Sequence, residues 1–235
     1  MIGGILSKVS HAFPFYFAGG MALLNGISAY FFLDESNHHR NPAPIIYNPL
    51  RPILRAMQSP VLRPLYMNWF FYSLSFVVVQ TTFALFAQHA FRYDSFQTGM
   101  LFTFIGVVIA LNQTLLLNRF WIQRFSNHQL ELMMLVMALI GLGLAATQNL
   151  YLFFAGIPFI GTSQAVYRVV IANDAIQRTD PVSKGEIMGT IASVMTLAMV
   201  ISPIAGGYLF ERNISYPFLA GMFFILVAIF NSTRR

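Results

Sequence analysis

Long apolar runs separated by short polar breaks set the plan of this chain. The first run, Ala12 to Leu33, ends at Asp34-Glu35-Ser36 and is long enough to cross a hydrocarbon core of about 30 Å. Six more follow: Leu65 to Phe86, Thr98 to Leu117, Leu130 to Ala146, Leu150 to Ala172, Ile187 to Leu209 and Pro217 to Phe230. The pattern predicts an all-α membrane protein with seven transmembrane helices. Between the first two runs, residues 37–64 carry His38, His39, Arg40 and six Pro, which excludes a continuous membrane helix there. Inside that linker Leu50, Ile53, Leu54 and Met57 recur at helical spacing beside Arg51 and Arg55. Two readings stand: a short basic helix on an anionic membrane face, or an irregular solvated loop.

Within the apolar runs, small residues recur with a period that suits helix packing. Gly185, Gly189 and Ser193 share one face of the sixth run, where the missing bulk is expected to let a neighbouring helix approach. Pro203 removes a backbone donor and Gly206-Gly207 follow one turn later, so the helix is expected to bend. Shifting the chain along itself lays Gly3, Gly4, Leu6, Pro14, Phe15 and Leu23 on Gly206, Gly207, Leu209, Pro217, Phe218 and Leu226 without a gap. Two copies of one helix-hairpin unit are therefore expected, of the kind that relates duplicated halves of secondary transporters.

Composition narrows the class further. The chain is 57% hydrophobic and 9% charged, against roughly a quarter charged in soluble domains. Cys is absent, which excludes disulfides and thiolate metal sites. A net charge of +6 raises the question of nucleic acid, but no basic stretch with interleaved aromatics sits on a soluble module, and no nucleic-acid partner is expected. Topology accounts for the charge instead. Arg40, Arg51, Arg55, Arg63, Arg119, Arg124, Arg178, Lys184, Arg234 and Arg235 fall on one side of the spans; Lys8, Arg92 and Arg212 fall on the other. The positive-inside rule makes the first side cytoplasmic, with the C-terminus inside and the residues before the first span outside.

Polar groups at membrane depth cost free energy unless they meet a partner or a cavity, so each is a candidate for function. Asn68 and Gln80 lie on the second span, Asn112 and Gln113 on the third, Gln164 and Arg168 on the fifth. Gln80 and Gln113 either hydrogen-bond a solute or tie two helices together for about 1 kcal/mol. Gln164 and Arg168 share a face one turn apart, with Asn173 and Asp174 beyond. Arg168 either holds an anionic group, snorkels to water or pairs with Asp174. Gly156, Pro158 and Gly161 suit a pliable gating helix or a closely packed one. His38 and His39 lack further ligands at metal-binding spacing, and neither a nucleophile-base arrangement nor a phosphate loop is present, so no metal, cofactor or enzymatic activity is expected.

Taken together, the chain resembles the major facilitator superfamily, closest to its drug and tetracycline proton-antiporter branch. In that family the fifth helix ends Gly-Pro-x-x-Gly-Gly, and the next opens Pro-Phe and closes near Leu-Pro-Glu-Ser. Gly3-Gly4, Pro14-Phe15 and Leu33-Asp34-Glu35-Ser36 look like those elements, with Asp34 in place of the usual Pro. Gly99, Gly106, Gln113 and the segment Asn118 to Phe125 are similar to the eighth helix and the basic loop after it, with Ser126 where Gly is usual. Gly185, Gly189, Ser193, Pro203, Gly206 and Gly207 are similar to the eleventh helix.

The resemblance implies a remnant of the N-terminal bundle at 1–36, a cytoplasmic inter-half linker at 37–64 and the C-terminal six-helix bundle at 65–235. It implies transport of a small solute, an amphipathic drug-like cation in that branch, by proton-coupled alternating access in a bacterial inner membrane. Gln80, Gln113, Gln164 and Arg168 would then face the central cavity. Nothing in the chain resembles the family's first four helices, so it is expected to be an N-terminally truncated carrier that does not transport alone. Its partners are then the lipid bilayer, a small-molecule substrate, and either a separate N-terminal half or a second copy of itself. The rival expectation is a membrane interaction or scaffold fragment.

Overall fold

The computed structural model describes residues 2–6, 10, 12–33, 57–178 and 184–234. The described residues fold into eight helices: α1 (Ile2–Leu6), α2 (Phe13–Phe32), α3 (Arg63–Phe91), α4 (Ser95–Arg124), α5 (Asn127–Ala146), α6 (Leu150–Gln177), α7 (Lys184–Arg212) and α8 (Tyr216–Thr233). Seven of them, α2 to α8, are long and apolar enough to cross a membrane. The basic linker helix expected around Leu50 to Met57 lies almost wholly outside the described residues, as do His38 and His39.

Local chemistry places the helix ends. Asp94 and Ser126 open α4 and α5 with capping boxes, each side chain accepting from the backbone N–H three residues on while Gln97 and Gln129 reach back. The Asn149 side chain accepts from the N–H groups of Tyr151 and Leu152 to start α6. Pro14, Pro64 and Pro217 sit in the first turn of α2, α3 and α8, where no backbone donor is needed. The shift that lays Gly3 on Gly206 also lays Phe13 on Tyr216, so both copies of the repeat open a helix at the same register.

α3 to α8 form one bundle. α3 packs against α7 and α8, α5 against α6 and α8, and α4 against α6. Lipid offers no hydrophobic drive for this assembly, so close packing and polar ties must hold it. At three crossings the fit depends on a missing side chain. A Cβ on Gly156 would meet the Gly141 carbonyl oxygen at 2.7 Å, one on Gly161 would meet Val108 at 2.7 Å, and one on Gly206 would meet the Val78 carbonyl oxygen at 3.2 Å. Gly156 and Gly161 therefore serve close packing. Pro158 and Pro203 are both accommodated inside unbroken helices.

Polar ties mark the two ends of the bundle. At one end Asn68 Nδ2 donates to Glu131 Oε1 (2.5 Å), while Asn231 Nδ2 donates to Asn68 Oδ1 (2.6 Å) and to the Pro64 carbonyl (3.2 Å). Asn127 Nδ2 donates to Gln177 Oε1 at that same end. At the opposite end Gln148 Nε2 donates to Ser215 Oγ, whose hydroxyl in turn donates to the Ala146 carbonyl. Arg63, Arg124, Arg178, Lys184 and Arg234 thus cluster at the first end, and Arg92 and Arg212 at the second.

Among the described residues, no helix approaches the small-residue face of α7. A Cβ on Gly185, Gly189 or Gly207 would meet nothing within 4 Å, and the Ser193 hydroxyl bonds back to the Gly189 carbonyl of its own helix. Gly206, on another face of α7, carries the contact with α3 instead. Gly3 likewise faces open space, and no residue of α2 is buried.

Candidate functional site

The expected site residues lie on three helices of the bundle, and their side chains converge. Two adjoining cavities of about 220 Å³ each open between α3, α4 and α6, sharing Phe76, Ile109 and Gln164 as lining. Gln80 lines the first, Gln113 and Arg168 line the second, and Gln164 lines both. The structure therefore brings all four together.

None of the four ties helices. Gln80, Gln113 and Arg168 are exposed to the cavities and make no hydrogen bond or ion pair among the described residues. Gln164 is partly buried, and its Oε1 is wholly buried without a donor. The pairing of Arg168 with Asp174 does not form. Asp174 accepts from Arg178 Nε at 2.9 Å, because four residues place two side chains on one helix face and six do not.

The walls are apolar and aromatic. Phe83, Phe102 and Phe153 enclose the first cavity, with ring centroids of Phe83 at 5.1 Å from Phe102 and 5.8 Å from Phe153. Behind the second, Tyr72 and Tyr167 stack at 4.1 Å, and Trp69 stacks on both. The Trp69 indole N–H donates to the Ile191 carbonyl (2.9 Å), and the Tyr72 and Ser163 hydroxyls bond at 3.1 Å. These contacts lock α3, α6 and α7 into a rigid back wall.

α4 is held differently. From Asn112 to Trp121 it widens into a π-helix, and Gln113 is the second residue of that segment. Asn112 bridges the widened stretch: its Nδ2 donates to the Val108 carbonyl (2.9 Å) and to Thr162 Oγ1 on α6 (3.0 Å), while its Oδ1 accepts from Trp121 Nε1 (3.2 Å). π segments recur at functional sites, and this one sets the direction in which Gln113 projects.

Sequence reasoning missed Ser73, whose Oγ is buried without a partner on the lining of the second cavity. A lone Ser in an apolar run gives no signal of its own. It also missed the aromatic wall, which in sequence is indistinguishable from ordinary packing. Among the described residues no three His, Asp or Glu side chains are grouped to hold a metal. Unpaired amides, one guanidinium and aromatic walls can bind a solute; they hold no nucleophile poised beside a base.

No family model matches the chain. Multidrug resistance protein 2 of Bacillus subtilis (strain 168) is 22% identical over 232 residues, which are 97% of this chain and 58% of that protein. Multidrug resistance protein 1 of the same organism is 25% identical over 227 residues, 92% of this chain and 55% of that one. The chain thus spans little more than half the length of the curated relatives it matches. Among solved structures, the human organic anion transporter MFSD10 (TETRAN) superposes with a TM-score of 0.77 at 20% identity, over 94% of this chain and 57% of that one. The chain is an integral multi-pass membrane protein with the major facilitator fold, and its likeness to transporters of that superfamily extends over nearly its whole length.

Proposed function

We propose that the chain contributes the solute-binding bundle of a secondary transporter that carries a small molecule across a bacterial inner membrane. One observation carries this reading: four polar side chains from three helices meet at two adjoining cavities without satisfying one another. A structural role would have paired them, since membrane-depth polar groups are kept where they have a partner or a passenger. The relatives' names, multidrug resistance and organic anion transport, both concern small solutes. Proton coupling rests on the resemblance to the drug and tetracycline antiporter branch. The end bearing Arg63, Arg124, Arg178, Lys184 and Arg234 is cytoplasmic in this reading. Alternating access rocks one bundle against another, so these 235 residues on their own hold solute without pumping it.

Single cysteines test the site directly, because the chain has no native Cys. With Cys placed in turn at Gln80, Gln113, Gln164 and Arg168, a water-soluble thiol reagent is expected to label each faster than Cys at Ile140, which faces outward from α5. Labelling of the four at or below the Ile140 rate would show that they face lipid and remove the site.

A further inference from the structure

The charge of the cavities points to the sign of the solute. Of all the residues lining the two cavities, Arg168 is the one that is charged; none is acidic. Its guanidinium has no counter-ion among the described residues, and the acid nearest it along α6, Asp174, is occupied by Arg178. Arg168 is exposed and so open to a ligand, and a guanidinium suits a carboxylate or sulfonate best because its fork donates two parallel hydrogen bonds. A cationic solute would meet repulsion here with no carboxylate to offset it.

A second requirement comes from the neighbouring polar atoms. Gln113 is exposed on the lining of the second cavity with Arg168, and its amide offers both a donor and an acceptor, whereas Gln164 Oε1 and Ser73 Oγ are buried out of a solute's reach. The remaining wall, Phe76, Phe83, Phe102 and Phe153, accepts an aromatic body.

From these three features, and resting on the reading of the cavities as a solute site, we infer that the bundle selects amphipathic organic anions: a carboxylate or sulfonate on an aromatic body. This departs from the drug-like cation that the resemblance implied. Arg168 binds the anionic group and Gln113 adds a hydrogen bond beside it.

The test uses the purified chain in nanodiscs and equilibrium dialysis with three ligands of one shape: 6-hydroxy-2-naphthoate, its neutral carboxamide, and the cation 6-(aminomethyl)-2-naphthol. The naphthoate is expected to bind about tenfold or more tighter than either analogue. Arg168→Gln is expected to abolish that preference, and Arg168→Lys, which keeps the charge without the fork, to retain part of it. Equal or tighter binding of the cation, or a preference unchanged in Arg168→Gln, overturns the inference and leaves the solute site standing. If none of the three binds a chain that is helical and melts cooperatively, the solute site itself fails and the inference with it. Should Arg168→Gln not fold, the ranking of the three ligands on the unaltered chain decides alone.

Discussion

Two glycines on one helix, two residues apart, separate close packing from helix propensity. A Cβ at Gly141 would lie 2.7 Å from Ile160 Cγ1, 2.9 Å from the Gly156 carbonyl oxygen and 3.0 Å from the Ile160 nitrogen. Two of those atoms are backbone of α6 and cannot swing aside, so Gly141→Ala forces α5 and α6 apart. A Cβ at Gly143 would meet Met222 Cε at 3.5 Å and Sδ at 3.8 Å, which is ordinary contact with a flexible side chain. Overpacking costs about 1–3 kcal/mol, and Gly to Ala within a helix gains about 1 kcal/mol wherever space allows. The propensity gain is common to both positions and cancels between them. Gly143→Ala is therefore expected to be neutral or to stabilise by up to about 1 kcal/mol, with Gly141→Ala about 1–3 kcal/mol below it. Reversible unfolding in mixed micelles, followed by circular dichroism, measures the difference. Gly156→Ala, whose Cβ would sit 2.7 Å from the Gly141 carbonyl oxygen, should match Gly141→Ala, and the double variant should cost less than the two singly because one separation relieves both clashes. Equal stability of Gly141→Ala and Gly143→Ala would refute the packing argument.

Trp69→Phe keeps the aromatic stack but leaves the Ile191 carbonyl without its donor, and should lower stability by about 1 kcal/mol in the same unfolding assay. Asn231→Leu leaves the Asn68 Oδ1 without its donor and removes a second bond to the Pro64 carbonyl, which keeps its place in the first turn of α3; a loss of about 1–3 kcal/mol is expected, and no loss would show that these bonds are idle. In intact cells, Tyr93→Cys should react with an impermeant thiol reagent and Asn41→Cys should not; the reverse result inverts the orientation. Reconstituted with a proton gradient, the 235 residues should show no saturable uptake, and gradient-driven uptake abolished by Gln113→Ala or Arg168→Ala would show that one bundle suffices.

The spans were legible because a bilayer demands long apolar runs, yet the helices overshoot those runs. α3 extends from Arg63 to Phe91 where hydrophobicity marks Leu65 to Phe86, since Gln88 and His89 remain helical at the polar end: His89 Nδ1 lies 2.9 Å from the Leu85 carbonyl one turn back. The four polar residues that line the cavities were legible because few polar groups occur at depth and cost makes each informative. Which apolar residues wall the cavities with them was not, because hydropathy cannot tell a lipid-facing surface from a core-facing one when both are apolar. Gly185 and Gly206 look alike in sequence, but only Gly206 is approached by a neighbour, a fact settled by the rotation of α7 about its own axis. The π segment was illegible for a related reason. Its register depends on Asn112 meeting Thr162, fifty residues downstream, and Trp121, nine residues on.

The Asn231 bonds also bear on how the chain is made. Asn68 and the Pro64 carbonyl emerge from the ribosome well before Asn231, which follows them by about 160 residues, so at about 5–20 residues per second they wait on the order of ten seconds or more for their donor. Glu131 is made sooner, so the bond between Asn68 on α3 and Glu131 on α5 has both its partners before α8 supplies Asn231. Without α8, the Asn68 amide keeps Glu131 on its nitrogen but has no donor on its oxygen, so the basic end of the bundle is left half tied.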